Sequence, residues 1–162
     1  MEEENLLKLG NIMRNEVQRQ RNEKMKTSPQ LTLGELILKL EAVKDKEVPI
    51  VFDFGLQLEQ DIKPTGVDSW RGSYNELAIG YDTKGKEKVK TFLECLKEAI
   101  GKEFTGYKGG EFLMGKITPV WVANYGESSI VNYNGREHKT IGVTGINIVN
   151  GIVIITTEAM EY

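Results

Sequence analysis

A two-residue turn signal near the end of the sequence constrains the fold of this chain most strongly. Asn150 and Gly151 join two runs rich in β-branched residues, 140–149 and 152–157. Both turn residues tolerate the positive φ angles that a tight connection between antiparallel strands requires. The sequence therefore predicts a β-hairpin, and such a pair needs further strands or a helix to cover its apolar face.

Two amphipathic helices are predicted to provide that cover. Thr32 and Glu35 have capping-box spacing, which predicts a helix start at this point. The apolar face of this first helix comprises Leu33, Leu36, Ile37, Leu40 and Val43. A second helix is predicted to open within residues 83–88 and to end at Gly101. Its apolar face comprises Val89, Phe92, Leu93, Leu96 and Ile100.

The remaining segments complete a prediction of the α+β class. Residues 48–54, 70–81 and 119–125 are rich in branched and aromatic side chains, which is typical of strands. Residues 55–68 and 126–136 carry glycine, proline and polar residues and are predicted to be loops. The expected architecture is an antiparallel sheet with two helices on one face.

Residues 1–30 are predicted to form an N-terminal helical arm, preceding a single α+β ligand-binding domain at residues 31–162. One face of the arm is apolar and comprises Leu6, Leu7, Leu9, Ile12, Met13 and Val17. Residues 18–24 are polar and end this stripe. Two interpretations remain open: an arm that packs on the domain or on a second subunit, and a partly frayed extension.

Charge and composition argue against duplex nucleic acid and membranes as partners, while a local basic cleft that binds a polyanion stays open as an alternative. The formal net charge of -3 gives no overall basic field for duplex nucleic acid or anionic lipid. Cys95 is the only cysteine, so no intrachain disulfide can form, as is usual in a reducing cytosol. No secretory signal is evident, and the apolar runs are far shorter than the ~20 residues of a membrane span. We expect a cytoplasmic protein without a membrane partner.

The usual signatures of catalysis are missing from the sequence. His138 is the only histidine, and with Cys95 alone beside it a zinc site is not expected. No phosphate-binding loop, dinucleotide fingerprint or nucleophile elbow occurs. The triplet at residues 53–55 (DFG) stands without other kinase elements and is interpreted as coincidence. We therefore predict no catalytic residue, no metal and no cofactor, and hence no enzyme.

Three segments instead combine aromatic rings with polar groups and glycine. They are residues 69–74 (SWRGSY), 105–112 (TGYKGGEF) and 121–126 (WVANYG). This mixture suits a nucleotide, because aromatic faces stack on a base. The alternative is that Trp70, Trp121 and Phe112 are ordinary core residues.

The polar members of these segments match the other parts of a nucleotide. Arg71 offers a planar fork for bidentate phosphate contact, unless it pairs with Glu76 or lies exposed. Lys108 adds a point charge, and Gly109 and Gly110 can present successive backbone N–H groups to an anion. Asn124 can contact a base edge or the sugar hydroxyls.

Together with residues 31–40 (LTLGELILKL) and 52–54 (FDF), these segments resemble the first described type of the phage Thoeris anti-defence sponge family. The resemblance spans residues 31–126 and continues weakly into the final hairpin. It implies a viral protein that sequesters glycocyclic ADP-ribose or a related cyclic ADP-ribose isomer, made by TIR-domain enzymes, without cleaving it. Thoeris immunity is thereby blocked in the host cytoplasm.

The resemblance also implies an assembly and a set of contacts. Family members form homodimers or homohexamers with the signal held where subunits meet, and some bind cyclic oligonucleotides at separate sites. The implied contacts are Trp70, Arg71, Tyr74, Tyr107, Lys108, Trp121 and Asn124. The arm and the loop at residues 55–68 are longer than the family pattern. The alternative functions are an enzyme that degrades a nucleotide signal and a protein-interaction inhibitor of a host factor.

Overall fold

A computed structural model describes residues 29–58, 60–70, 75–105, 108–124, 130–133, 136–138 and 140–160. Apart from Pro29 and Gln30, the predicted N-terminal arm lies outside the described residues. In these ranges, no helix combines the length and the apolar character needed to cross a membrane.

Helix α1 spans Leu33–Glu41 and begins with the predicted capping box. The Glu35 backbone N–H donates to Thr32 Oγ1 at 3.2 Å, and the Thr32 N–H donates to Glu35 Oε1 at 3.1 Å. At the same end, the Gly34 N–H donates to the Lys116 carbonyl at 2.8 Å. A Cβ on Gly34 would lie 2.9 Å from Lys116, so glycine allows the helix to approach this turn closely.

Helix α2 spans Val89–Ala99 and buries most of the predicted apolar face. It starts after the predicted segment 83–88, because Lys88 is extended and bridges to Pro49. Gly101 follows the helix with a φ of 78°, the left-handed conformation expected of a helix stop. The two helices contact each other and share one hydrophobic core with the main sheet.

In the part of the chain that the structure describes, the main sheet has six strands in the order β1-β10-β9-β6-β3-β2. Their bounds are β1 Ile50–Phe52, β2 Lys63–Ser69, β3 Leu77–Asp82, β6 Val120–Val122, β9 Ile141–Val149 and β10 Ile152–Ala159. Two further pairs are β4 Glu103–Thr105 with β5 Glu111–Leu113, and β7 Ile130–Tyr133 with β8 Arg136–His138. A 3-10 helix, Asp53–Leu58, follows β1.

The α+β class with two helices is confirmed, and the sheet is mixed rather than wholly antiparallel. Strands β10–β9, β9–β6 and β2–β3 pair antiparallel, whereas β1–β10 and β3–β6 pair parallel. Strand β3 returns to β6 through a connection that contains α2. Such a crossover allows the second strand to run in the direction of the first.

The predicted hairpin is confirmed, while two predicted loops contain strands. Val149 pairs with Ile152 across the turn, where Asn150 and Gly151 have φ angles of 51° and 74°. Strand β2 occupies residues 63–68 of the predicted loop 55–68, and β7 occupies part of 126–136. Strand β2 is an edge strand, because it lies last in the sheet order. It contains Pro64, and edge strands tolerate proline because part of their backbone has no partner strand.

The two faces of the main sheet are covered differently. The face toward the helices contributes Ile50, Phe52, Leu77, Ile79, Val120, Val122, Ile141, Val143, Val153 and Ile155 to the core. Because side chains alternate along a strand, Trp121 in β6 lies on the other face. Its neighbours in register are Ala78 of β3 and Gly142 of β9.

Candidate ligand-binding site

Trp70 and Trp121 stack on each other at the face of the sheet opposite the helices. Their ring centroids lie 4.2 Å apart, and the ring planes differ by 12°. Trp121 is only 4 % exposed, whereas Trp70, directly after β2, is half-buried. The small neighbours Ala78 and Gly142 leave room for the Trp121 indole on this face. Two of the three aromatic segments are thereby brought together.

The close stacking decides how this pair can contact a base. Rings whose centroids lie 4.2 Å apart are already in contact and leave no room for a third ring between them. A base that uses this pair must therefore stack on Trp70, on the side away from Trp121. Trp121 packs against the buried side of Trp70. The position of Trp121 is therefore described better as a core residue than as a direct ligand contact.

Gln30 and Met160 cover the same face beside Trp121 and were not predicted. Gln30 is 3 % exposed, and its Nε2 donates to the Val120 carbonyl at 2.9 Å. A Cβ on Gly142 would lie 2.6 Å from Met160 Sδ and 3.2 Å from the Gln30 side chain. A glycine inside a strand marks such close approaches, so Gly142 is the sequence signal for this covering layer.

A backbone hydrogen bond between Trp70 and Glu76 closes the loop that follows Trp70. The Trp70 N–H donates to the Glu76 carbonyl at 3.0 Å, and Asn75 adopts a positive φ of 59°. Glu76 is 4 % exposed, and a buried carboxylate requires a hydrogen-bond or charge partner. Arg71, the partner considered from the sequence, and Tyr74 lie outside the described residues, as does Tyr107.

Lys108, Gly109 and Gly110 lie in the exposed connection between β4 and β5. Gly109 has a φ of 84°, which favours glycine, and a Cβ there would meet no atom within 4 Å. Strand β4 contacts β2, the strand that ends just before Trp70. The glycine-rich segment thus comes from an element next to the one that carries the tryptophan.

The body of the β4–β5 hairpin has one acidic and one aromatic face. Phe104 and Phe112 stack with centroids 6.1 Å apart, and Phe104 belongs to the core. On the other face, a hydrogen bond with Glu111 and the repulsion of its charge raise the pKa of Glu103. This pair of carboxylates disfavours the binding of an anion on this face of the hairpin.

Asn124 has a structural contact at the end of β6. Its Oδ1 accepts a hydrogen bond from the Tyr81 N–H at 2.8 Å, next to the Ala123 N–H that donates to the Ile79 carbonyl. The side-chain oxygen thus extends the ladder between β3 and β6. Because Oδ1 is used in this way, Asn124 would contact a ligand through its side-chain amide nitrogen.

The sequence analysis also considered Cys95, His138 and a metal site. Cys95 is half-buried on α2, and burial raises the pKa of its thiol, which opposes formation of a reactive thiolate. The His138 side chain lies outside what the structure describes. Within the described ranges, no group of three or more His, Cys, Asp or Glu residues is arranged to hold a metal ion.

Asp53, the first residue of the kinase-like triplet, anchors the end of β10. Its carboxylate accepts hydrogen bonds from the Thr157 N–H at 2.9 Å and from Thr157 Oγ1 at 2.6 Å. The Tyr133 hydroxyl donates to the Thr157 carbonyl at 2.9 Å, and burial raises the pKa of Tyr133. These contacts join β7, β10 and the 3-10 helix, which explains the aspartate without kinase chemistry.

No protein-family model, curated protein or solved structure matches this chain. The functional argument therefore rests on the residues themselves. Of the nine predicted ligand contacts, Trp70 and Trp121 touch each other, Lys108, Gly109 and Gly110 share one exposed connection, and Asn124 lies at the end of β6.

Proposed function

We propose that this protein is a sponge for a small anionic cyclic nucleotide, which it binds without cleaving. The proposed ligand is a cyclic ADP-ribose isomer such as glycocyclic ADP-ribose, as the resemblance to the Thoeris anti-defence sponges implies. The observation that carries the proposal is the half-buried Trp70, held flat against Trp121. A rigid indole of this kind is a suitable stacking platform for adenine.

The cationic and glycine residues of the same three sequence segments suit a pyrophosphate. Lys108 is exposed, and Gly109 and Gly110 next to it can turn backbone N–H groups toward an anion. Arg71 directly follows Trp70 in the sequence and can bind phosphate in a bidentate manner. Stacking contributes about 1–3 kcal/mol per base, so the phosphate contacts must supply much of the remaining affinity.

A sponge requires affinity rather than turnover. A nanomolar dissociation constant corresponds to about -12 kcal/mol, which is demanding for a single exposed face. Burial of the ligand where subunits meet would add contact area. We propose a homodimer or homohexamer in the host cytoplasm, as the resemblance to the Thoeris anti-defence sponges implies. Cyclic oligonucleotides are a second ligand class to be tested on the same protein.

Thermal unfolding with a panel of ligands tests this function. We expect a cyclic ADP-ribose isomer at about 100 times its dissociation constant to stabilise the protein by about 2.7 kcal/mol. For a domain of this size, that corresponds to an increase in Tm of about 5–10 °C. Linear ADP-ribose at the same concentration is the control.

Recovery of the ligand separates the three candidate functions. The protein is incubated with the isomer and heated, and the released nucleotide is analysed by mass spectrometry. Intact ligand supports the sponge, whereas a changed mass identifies an enzyme that degrades the signal. An unchanged Tm with every nucleotide contradicts the proposal and favours a protein-interaction inhibitor.

Removal of the proposed phosphate contacts is expected to reduce affinity without unfolding the protein. A charge-assisted hydrogen bond contributes about 1.5–3 kcal/mol, so Arg71→Ala should weaken binding about 10–100-fold. Lys108→Ala should act in the same direction with little effect on Tm, because Lys108 is exposed. Lys90→Ala, at an exposed position of α2, is the matched control. Calorimetry showing equal affinity for all four proteins would contradict the assigned contacts.

A further inference from the structure

Beyond Val143, one edge of strand β9 has no partner strand among the residues that the structure describes. The strand is nine residues long, but its pairing with β6 is limited to Gly142 opposite Trp121. The Leu31 N–H donates to the Val143 carbonyl at 2.8 Å, which extends this pairing by one residue. Residues 144–149 continue past that point for about 20 Å.

The backbone along this edge directs hydrogen-bonding groups away from β10. Ile148 lies opposite Val153, and the Val153 N–H donates to the Pro49 carbonyl at 2.9 Å, on the far side of β10. The two members of such an antiparallel pair turn their backbone groups away from each other. The N–H and C=O of Ile148 therefore face the free edge, as do those of Ile146 two residues earlier.

The side chains around this edge are apolar and uncharged. Ile148 is 58 % exposed, Val149 is 46 % exposed, and Ile152, across the turn, is 38 % exposed. Residues 140–157 contain no charged side chain, although charged residues make up 28 % of the chain. Proteins usually protect a free strand edge with charged side chains, proline or a covering segment. An exposed edge that lacks charged side chains is suited to pairing with another strand.

We infer that β9 of a second copy of this chain pairs antiparallel with this edge, about a two-fold axis near Asn147. The axis places Ile146 opposite Ile148 of the partner subunit, so the outward backbone groups of the two strands hydrogen-bond to each other. The chain has a net charge of -3, and this uncharged hairpin can approach its copy without like charges meeting. The contact gives a surface for the homo-oligomer proposed above, but it does not depend on a nucleotide.

Analytical ultracentrifugation of the full-length protein tests the contact. The unmodified protein should sediment as a dimer or a larger even-numbered assembly. Ile148→Lys should weaken the association by at least about 100-fold, because the two-fold axis brings the added charges together. Leu38→Lys, at a position 67 % exposed on α1, is the matched control and should leave the mass unchanged. A monomeric unmodified protein, or Ile148→Lys with the unmodified mass, would overturn the inference.

Disulfide formation tests the position of the axis. In a Cys95→Ser background, Asn147→Cys places two thiols opposite each other at the axis, in a pair whose Cα atoms would be about 4.5 Å apart. We expect a disulfide-linked dimer to form at least several-fold faster than with Lys90→Cys, at an exposed position of α2. Equal rates for the two variants would show that the β9 edges do not meet.

Failure of this inference and failure of the proposed function give different results. An assembly that Ile148→Lys splits, but that responds to no nucleotide in the thermal panel, supports the β9 contact and contradicts the sponge. Nucleotide binding by a protein that is monomeric, or that Ile148→Lys leaves assembled, supports the sponge and overturns the β9 contact.

Discussion

Trp121→Ala is expected to lower the free energy of unfolding by about 3–5 kcal/mol, the usual cost of truncating a buried tryptophan. Trp121 is 4 % exposed and stacks on Trp70 with its ring 4.2 Å away, so the change leaves a cavity beneath the proposed platform. Nucleotide binding should be lost as well, because Trp70 loses the surface that orients it. Urea unfolding followed by circular dichroism measures the first effect, and calorimetry measures the second.

Trp70→Ala is the matched variant for this prediction. Trp70 is half-buried, so its truncation should cost less stability while still removing the proposed stacking surface. Binding should weaken by about 10–100-fold, from 1–3 kcal/mol of stacking. If Trp70→Ala binds the ligand as tightly as the unmodified protein, the platform is not where the base lies.

Asp53→Ala is expected to lower the free energy of unfolding by about 2–4 kcal/mol without a direct effect on the ligand. The Asp53 carboxylate accepts two hydrogen bonds from Thr157, whose exposed fraction is only 6 %. Hydrogen bonds to charged groups contribute about 1.5–3 kcal/mol each, and the freed Thr157 donors would remain buried. The measurement is urea unfolding, with nucleotide affinity determined at a temperature where the variant is folded.

Two conservative variants control for this network. Asp53→Asn keeps one acceptor oxygen and should lie between the unmodified protein and Asp53→Ala. Tyr133→Phe removes only the hydroxyl that donates to the Thr157 carbonyl, so its cost should be near 1 kcal/mol. Loss of affinity in folded Asp53→Ala, at unchanged stability, would instead place Asp53 in the ligand site.

The local features of this fold were predictable because they depend on neighbouring residues. The capping box needs only Thr32 and Glu35, and the hairpin turn needs only Asn150 and Gly151. Strand β2 was missed because it lies at the end of the sheet order and carries polar residues that are typical of loops. The parallel pairings were missed because each joins strands that are distant in the sequence, which no local pattern encodes. Strand β3 reaches β6 through a crossover that contains α2, and β1 pairs with β10 near the other end of the chain.

The candidate site was predictable only as a set of segments. Composition identified the aromatic residues around Trp70 and Trp121, but not that the two rings would contact each other. Their contact depends on small residues in register from β3 and β9, which are distant in the sequence. The Asp53–Thr157 contact joins residues 104 positions apart. The only sequence feature at Asp53 was the kinase-like triplet DFG, which does not indicate this contact.

The parallel pairing of β1 with β10 has a consequence for biosynthesis. Ile50 lies opposite Val153, so a strand made early in translation must wait for one made late. Contacts between such distant residues close slowly, because a long loop must be ordered first. Strand β10 lies between β1 and β9 in the sheet. Until β10 emerges from the ribosome, β1 and β9 each have one edge without a hydrogen-bonded partner strand. Nascent chains halted before residue 152 should therefore depend on chaperones to avoid aggregation.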